Sequence, residues 1–98
     1  VIMLDIDHFK DVNDKFGHQA GDSVLKEFAE ILSESVRSTD TVGRWGGEEF
    51  LILCPQTDSE SAVKLAEKLR SKIEGHTFGG IGSKTASFGV ASYVKTET

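Results

Sequence analysis

The order of hydrophobic periodicities constrains the fold of this chain more than any other feature. Apolar residues recur at helical spacing in two stretches, and two short apolar segments typical of strands lie between them. Residues 41–45 and 50–53 are these strand candidates, joined by a glycine-containing turn typical of a hairpin, and Pro55 ends the second. The first helical stretch contains Leu25, Phe28, Ala29, Leu32 and Val36, and the second contains Ala62, Leu65, Ala66, Leu69 and Ile73.

Two further strands complete the pattern. Residues 1–6 form an apolar run with β-branched members that is too short for a helix, and residues 85–93 follow a glycine-rich loop. The order strand, helix, two strands, helix, strand is the split βαβ arrangement of ferredoxin-like folds. We therefore expect an α/β fold, an α+β sandwich whose central antiparallel sheet has helices packed on it. Right-handed crossovers would place the first and third strands side by side and antiparallel in mid-sheet.

Length and composition indicate a single domain over residues 1–98. The chain has a formal charge of −5 and one cysteine, Cys54, and it shows no repeat, linker or low-complexity segment. One cysteine excludes an intrachain disulfide and a four-cysteine zinc site, which favours a reducing, cytoplasmic setting. The acidic balance argues against a nucleic-acid partner, although a metal ion would still allow a nucleotide ligand. No apolar run is long enough to span a bilayer.

Two acidic clusters that are distant in sequence converge in this predicted sheet. Asp5 and Asp7 end the first strand, while Glu48 and Glu49 precede the neighbouring third strand. We expect Asp7 to point to the opposite face from Asp5, so that Asp5 and Glu48 form the pair. Two carboxylates beside an exposed carbonyl suit Mg²⁺, which takes the rest of its shell from water and phosphates, and Mn²⁺ fits the same ligands. The alternative is that these carboxylates are solvated or cap the next turn.

The polar residues between the first strand and the first helical stretch are predicted to form a long loop. Phe9 and Lys10 offer backbone donors and one cation to phosphate oxygens, and Asn13 and Asp22 have the groups to read the edge of guanine. The alternative reading of each residue is structural. Lys10 would then lie in water, His18 would be an ordinary turn histidine, and Asp22 would cap the helix that follows.

The turn between the two central strand candidates has an unusual charge pattern. Gly46 and Gly47 permit positive φ and a close approach of phosphate to the backbone. Glu48 and Glu49 follow directly, and adjacent like charges repel unless a cation holds them. Arg44 lies two residues before the glycines and could face either the site or solvent.

Together these residues resemble a known family. Residues 5–22, which begin Asp-Ile-Asp-His-Phe-Lys, and residues 44–50, Arg-Trp-Gly-Gly-Glu-Glu-Phe, look like the motifs of a GGDEF-domain diguanylate cyclase in its GGEEF form. The resemblance extends through residues 85–91. It implies a fold like that of nucleotidyl cyclase and polymerase palm domains. It also implies condensation of two GTP into cyclic di-GMP with release of two pyrophosphates, in a homodimer whose two domains each hold one GTP.

The resemblance also implies roles by position in this sequence. Mg²⁺ would be held by Asp5, the carbonyl of Ile6 and Glu48, and Glu48 or Glu49 would assist deprotonation of the 3′-hydroxyl. The phosphates would be stabilised by Lys10 and Arg44. The residues implied to bind substrate are Phe9, Lys10, Asn13, His18, Asp22, Gly46 and Gly47.

A second motif matches the family's inhibitory RxxD site. Arg37 and Asp40 lie at the family's distance before the glycine turn, and Lys68 takes the place of a further basic residue that is usually arginine. There the product, cyclic di-GMP, would bind away from the active site and restrain the domains. The alternative is a helix-end arginine followed by a turn aspartate, both of which are common.

The chain lacks motifs that usually flank this family's core, a preceding helix and a following one whose Lys and Arg contact GTP phosphates. We therefore expect it to belong to a longer regulatory protein, on the cytoplasmic side if that parent is membrane-anchored, and to fold poorly or bind GTP weakly alone. Two other functions stay open: a non-catalytic module that binds GTP or cyclic di-GMP, and a different nucleotidyl cyclase or polymerase-palm relative. The Gly-Gly-Glu-Glu-Phe turn of residues 46–50, hereafter called the signature turn, is intact and favours the enzyme over the binding module.

Overall fold

The computed structural model describes residues 1–91, and within them the chain forms six strands and three helices. The elements in order are β1 (Ile2–Ile6), α1 (Phe9–Phe16), α2 (His18–Ser35), β2 (Thr41–Arg44), β3 (Glu49–Leu53), α3 (Ser59–Gly75), β4 (Thr77–Phe78), β5 (Gly82–Ser83) and β6 (Ala86–Val90).

Four strands form one sheet in the order β2-β3-β1-β6, and every neighbouring pair is antiparallel. The first and third strands of the sheet are therefore adjacent at its centre, and the predicted ferredoxin-like βαββαβ arrangement is confirmed. The register places Leu4 opposite both Phe50 and Phe88, and it places Asp5 opposite both Glu49 and Ser87.

Alternation along β1 defines the covered face of the sheet. Ile2, Leu4 and Ile6 are buried, whereas Met3 and Asp5 between them are exposed. Successive side chains of a strand point to opposite faces, so one face belongs to the core and the other is open. The buried side chains of α2 and α3 join the covered face in a single hydrophobic cluster.

An aromatic stack runs through the middle of this core. Phe28 of α2 is fully buried, and its ring lies nearly parallel to those of Phe50 and Phe78, with centroids 6.5 Å and 5.0 Å away. Offset rings at these separations attract each other beyond the effect of burial alone. The stack therefore ties α2 to the strand that follows the signature turn.

The segment before Asp22 differs from the predicted loop. It is helical: α1 occupies its first half, and α2 begins at His18, so Asp22 lies inside a helix and does not cap it. Phe9 and Val12 are buried one helical turn apart, which is the apolar pattern that stabilises α1. Gly17, with a φ of 91°, separates the two helices. The stretch is too short for its periodicity to stand out in the sequence.

Other element boundaries also differ. The glycine-rich segment after α3 contains a small hairpin, β4 and β5, that the sequence did not predict. The last strand is β6, shorter than the predicted 85–93, and residues 92 and 93 lie outside the described residues. Neither Gly46 nor Gly47 adopts the positive φ that was expected of the turn. Within residues 1–91, no helix is long and apolar enough to cross a membrane.

Candidate functional site

A cavity of about 470 Å³ lies where α1, the first half of α2 and the β2–β3 turn meet. Eight of its nine lining residues were singled out from the sequence as catalytic or substrate-binding, and Leu25 is the addition. The lining consists of Phe9, Lys10, Asn13, His18, Asp22, Leu25, Arg44, Gly47 and Glu48. Two motifs more than twenty residues apart in sequence thus form one cleft, which is hereafter called the helix-side cleft.

The wall of this cleft is built by the break between α1 and α2. The Gly17 N–H donates to the Asn13 carbonyl at 2.9 Å and ends α1, and the Gly21 N–H donates to the Gly17 carbonyl at 3.2 Å in the first turn of α2. This geometry brings Asn13 on α1 and Asp22 on α2 to the same cavity. Gly21 is buried between them. It was not predicted as a residue of the site, although the sequence places it directly before Asp22.

The signature turn is closed by backbone hydrogen bonds. The N–H groups of Trp45 and Gly46 donate to the Glu49 carbonyl at 2.8 Å and 3.4 Å. The Arg44 Nε donates to the carbonyls of Gly46 and Gly47 at 3.2 Å and 3.1 Å. Arg44 is therefore oriented by its own turn, and it lines the cleft while remaining exposed to solvent.

The two acidic clusters meet at one end of the sheet, as expected. The Ile6 N–H donates to the Glu48 carbonyl at 3.2 Å, and Asp5 lies directly opposite Glu49. Residues paired across strands share a face, so Asp5 and Glu49 lie on the open face. Both line a second cavity of about 330 Å³ there, whereas Glu48 lines the helix-side cleft. The structure thus pairs Asp5 with Glu49 in register, where the sequence argument had paired it with Glu48.

The carboxylate and carbonyl oxygens at this end of the sheet fit a hard divalent cation that takes the rest of its coordination shell from water and substrate phosphates. Within residues 1–91 no group of three or more His, Cys, Asp or Glu side chains is arranged to enclose a metal ion. Mg²⁺ does not need such a cage, because it keeps several waters and binds through one or two carboxylates and substrate phosphates. Asp5, Glu48 and Glu49 flank the bonded backbones of β1 and β3 and offer carboxylates of that kind.

Asp7 has a different position from the one expected. Asp7 contacts the side chain of Ser87, which is paired with Asp5 across the sheet, so the expectation that Asp7 points away from Asp5 was wrong. Its two carboxylate oxygens accept hydrogen bonds from the hydroxyls of Ser87 and Thr85, both at 2.7 Å, and its N–H donates to the Thr85 carbonyl at 3.0 Å. These hydroxyls, with Ser87 foremost, lower the pKa of Asp7. Asp7 therefore anchors the end of β1 to β6, just before His8, which has left-handed backbone angles and immediately precedes α1.

Arg37 and Asp40 form a closed turn at the end of α2. The Arg37 N–H and guanidinium donate to the Asp40 carboxylate at 2.9 Å and 3.3–3.4 Å, and the guanidinium also donates to Thr57. The turn aspartate of the alternative reading is thus present in this geometry. Lys68 is exposed on α3, and within residues 1–91 no hydrogen bond or ion pair joins it to Arg37.

Comparison with known proteins identifies the family. The profile of the family described as "Diguanylate cyclase, GGDEF domain" matches residues 1–98. The chain belongs to the GGDEF domain family. Among curated relatives, this GGDEF domain is 43% identical over 96 residues to Diguanylate cyclase A of Treponema denticola. The aligned region covers 95% of the chain and 26% of the relative. It therefore spans about a quarter of that protein's length.

Solved structures agree with this assignment. The GGDEF domain superposes on the diguanylate cyclase SiaD of Pseudomonas aeruginosa, solved with its activator SiaC, with a TM-score of 0.90 and 43% identity over 99% of the chain and 38% of SiaD. The active GGEEF domain of a Vibrio cholerae diguanylate cyclase superposes with a TM-score of 0.84 and 38% identity. The match covers 90% of this chain and 57% of that one. The GGDEF domain of Caulobacter crescentus DgcB, solved in complex with c-di-GMP, superposes with a TM-score of 0.82 and 32% identity. That match covers 90% of this chain and 55% of the DgcB chain.

Proposed function

We propose that the protein carrying this chain is a diguanylate cyclase, which condenses two GTP into cyclic di-GMP and releases two pyrophosphates. The helix-side cleft carries this proposal, because a single cavity gathers polar groups for a base, cations for phosphates and a glutamate of the signature turn. Membership of the GGDEF family supports the reaction. The similarity to a domain described as active in the GGEEF form supports activity with this variant of the turn.

The guanine base is assigned to the α1–α2 side of the cleft. The Asp22 carboxylate has only acceptors, and guanine presents two donors, N1–H and the 2-amino group, on one edge. The Asn13 amide offers both a donor and an acceptor for the neighbouring positions. Phe9, His18, Gly46 and Gly47 are assigned supporting contacts to the nucleotide.

The phosphates are assigned to the side of the cleft nearer the signature turn. Within the described residues neither Lys10 nor Glu48 is engaged in an ion pair, although both line the cleft. Lys10 and Arg44 would neutralise phosphate charge, which is the main requirement of phosphoryl-type transfer. The 3′-oxygen of one nucleotide attacks the α-phosphorus of the other, and pyrophosphate leaves. This geometry requires two copies of the domain facing each other, each holding one GTP.

The residues proposed to hold Mg²⁺ are Asp5, the Ile6 carbonyl and Glu48, and Mn²⁺ suits the same donors. They meet at the end of β1, although Asp5 lines the cavity on the open face and Glu48 lines the helix-side cleft. The ion would neutralise phosphate charge and favour ionisation of the attacking hydroxyl. Glu48 is proposed to assist deprotonation of that 3′-hydroxyl. Glu49, which lies opposite Asp5, is the second candidate for this role.

We also propose that Arg37, Asp40 and Lys68 bind cyclic di-GMP as an inhibitory product. The support is the RxxD spacing and the similarity to a GGDEF domain solved with c-di-GMP. In the structure the Arg37 fork is engaged by Asp40 and Thr57, so product would have to share or displace these contacts. Regulatory domains of the parent chain are the other proposed partners. Control by a regulatory partner is supported by the similarity to SiaD, which was solved in complex with its activator SiaC.

A turnover assay with Glu48→Gln tests the proposal. The protein is incubated with GTP and Mg²⁺, and products are separated by mass. We expect wild type to form cyclic di-GMP and Glu48→Gln to lose at least about 100-fold in kcat, the usual effect of removing a group that acts in the transition state. Glu30→Gln is the matched control, since Glu30 is an exposed glutamate of α2 outside the cleft.

The possible outcomes separate the alternatives. Retained activity in Glu48→Gln, with the control unchanged, would overturn the role of this glutamate. Guanine nucleotide binding without any product in wild type would identify a binding module. Product formed equally well from another nucleoside triphosphate would identify a different nucleotidyl cyclase.

A further inference from the structure

Gly21 has no evident reason to be glycine from the backbone alone. It lies in the first turns of α2, it is buried, and its φ is not in the left-handed region that favours glycine. Glycine is among the weakest helix formers, so its presence inside a helix needs a local cause. That cause is the approach of α1.

The space beside Gly21 is filled by a residue of the proposed base site. A Cβ added at Gly21 would overlap Oδ1 of Asn13 and would lie 3.0 Å from its Cγ and 3.2 Å from the Cζ of Phe9. Contacts this short force a neighbour to move. Both neighbours line the helix-side cleft, so any movement changes the cleft itself.

This property is specific to Gly21. All ten glycines of the chain lie within the described residues, and at none of the others would a Cβ come closer than 3.5 Å to the atoms of other elements. Gly75 at the end of α3 is a useful contrast, because it is also helical and nothing lies within 4 Å of its added Cβ.

The side chain of Asn13 depends on this packing for its position. Its backbone carbonyl accepts the Gly17 N–H, but within residues 1–91 its side-chain amide makes no hydrogen bond. The missing side chain of Gly21 therefore leaves the space that the Asn13 amide occupies, next to the residue that precedes Asp22 in α2.

We propose that Gly21 is a positioning residue for base recognition: the absence of its side chain lets the Asn13 amide lie beside Asp22, so that both read one purine edge. This inference rests on the proposed function. The Asn13 amide can donate to the 6-oxo group of guanine, which adenine replaces with an amino group. Displacing this amide weakens GTP binding and narrows the preference for GTP over ATP, and it leaves the signature turn intact.

Kinetics of Gly21→Ala in the protein that carries this chain test the proposal, with Gly75→Ala as the matched control. We expect Gly21→Ala to raise KM for GTP by about 5- to 10-fold, the value of one neutral hydrogen bond or slightly more, while kcat changes by less than about 2-fold. Binding of GTP and ATP, measured by calorimetry, should show a smaller ratio of affinities than in wild type. Gly75→Ala should match wild type in all three quantities.

A double-variant cycle with Asn13→Ala shows whether the effect acts through Asn13. In an Asn13→Ala background the overlapping atoms are gone, so Gly21→Ala should add less than about 2-fold to KM. Fully additive effects would overturn the proposal, and so would a Gly21→Ala variant whose KM matches that of Gly75→Ala.

Folding is checked by circular dichroism. If Gly21→Ala alone does not fold, the double variant is expected to fold and to match Asn13→Ala, and its failure to fold would overturn the proposal because Asn13 would not be the obstacle. An active wild type with an unaffected Gly21→Ala refutes this inference alone. A wild type that neither binds nor converts guanine nucleotide refutes the proposed function itself.

Discussion

The aromatic stack at the centre of the core gives a quantitative prediction for Phe28→Leu. The substitution keeps an apolar side chain but removes three carbon atoms and a ring that lies within 6.5 Å of two others, Phe50 and Phe78. Each such pair contributes about 0.5–1.5 kcal/mol beyond burial, so the lost stacking alone lowers the free energy of unfolding by about 1–3 kcal/mol, and the smaller buried side chain adds to this. In a domain of this size that corresponds to a fall in Tm of roughly 5–20 °C.

Thermal and urea unfolding followed by far-ultraviolet circular dichroism measure this loss, and Phe16→Leu is the matched control. Phe16 is 49% exposed at the end of α1, so the same chemical change there should alter stability by less than about 0.5 kcal/mol. The m-value should be unchanged in both variants, because the surface exposed on unfolding is the same. Equal effects of the two substitutions would refute the argument from stacking.

Two further predictions concern the inhibitory motif and helix α3. Arg37→Ala should leave the initial rate within about 2-fold of wild type and weaken inhibition by added cyclic di-GMP by at least about 10-fold, since a charged bidentate contact is lost; a progress curve with unchanged inhibition would contradict this. Asp58 caps α3 by accepting the Ser61 N–H at 2.7 Å, and this hydrogen bond lowers the pKa of Asp58. A carboxyl group whose pKa is lowered in the folded state stabilises the fold at pH values above its ordinary pKa near 4. This stabilisation is lost as the pH falls through the folded-state pKa. The Tm advantage of wild type over Asp58→Asn should therefore be greatest near neutral pH and shrink in acid, and a pH-independent difference would show that the charge is not involved.

Most of the sheet could be predicted from the sequence because its evidence is local. β-Branched and apolar runs mark the strands, and a helix between two strands leads to the right-handed crossover that places β1 beside β3. The meeting of the acidic strand end with the signature turn follows from that adjacency. The helix α1 was missed because only Phe9 and Val12 are buried in its eight residues, too few to reveal a period.

The motifs of residues 5–22 and 44–50 were enough to identify the family and to name most residues of the cleft. They could not show how Asp5 is paired. The register of β1 against β3 places Glu49 opposite it, and a shift of one residue would exchange the faces of the whole strand. Register depends on which side chains pack in the core across both strands, so a motif alone does not define it.

The sequence by itself therefore determined the order of the four strands of the main sheet and the two long helices, the strand neighbours, and the chemical groups available to a nucleotide. Tertiary structure alone decided how closely those groups approach. Gly21 and Asn13 lie eight residues apart on two helices, and their contact depends on the angle at which Gly17 lets those helices meet. Asp7 and Ser87 lie eighty residues apart, and their hydrogen bond exists only because β1 and β6 pair. Propensity and periodicity act over a few residues, whereas these distances follow from packing of the whole core.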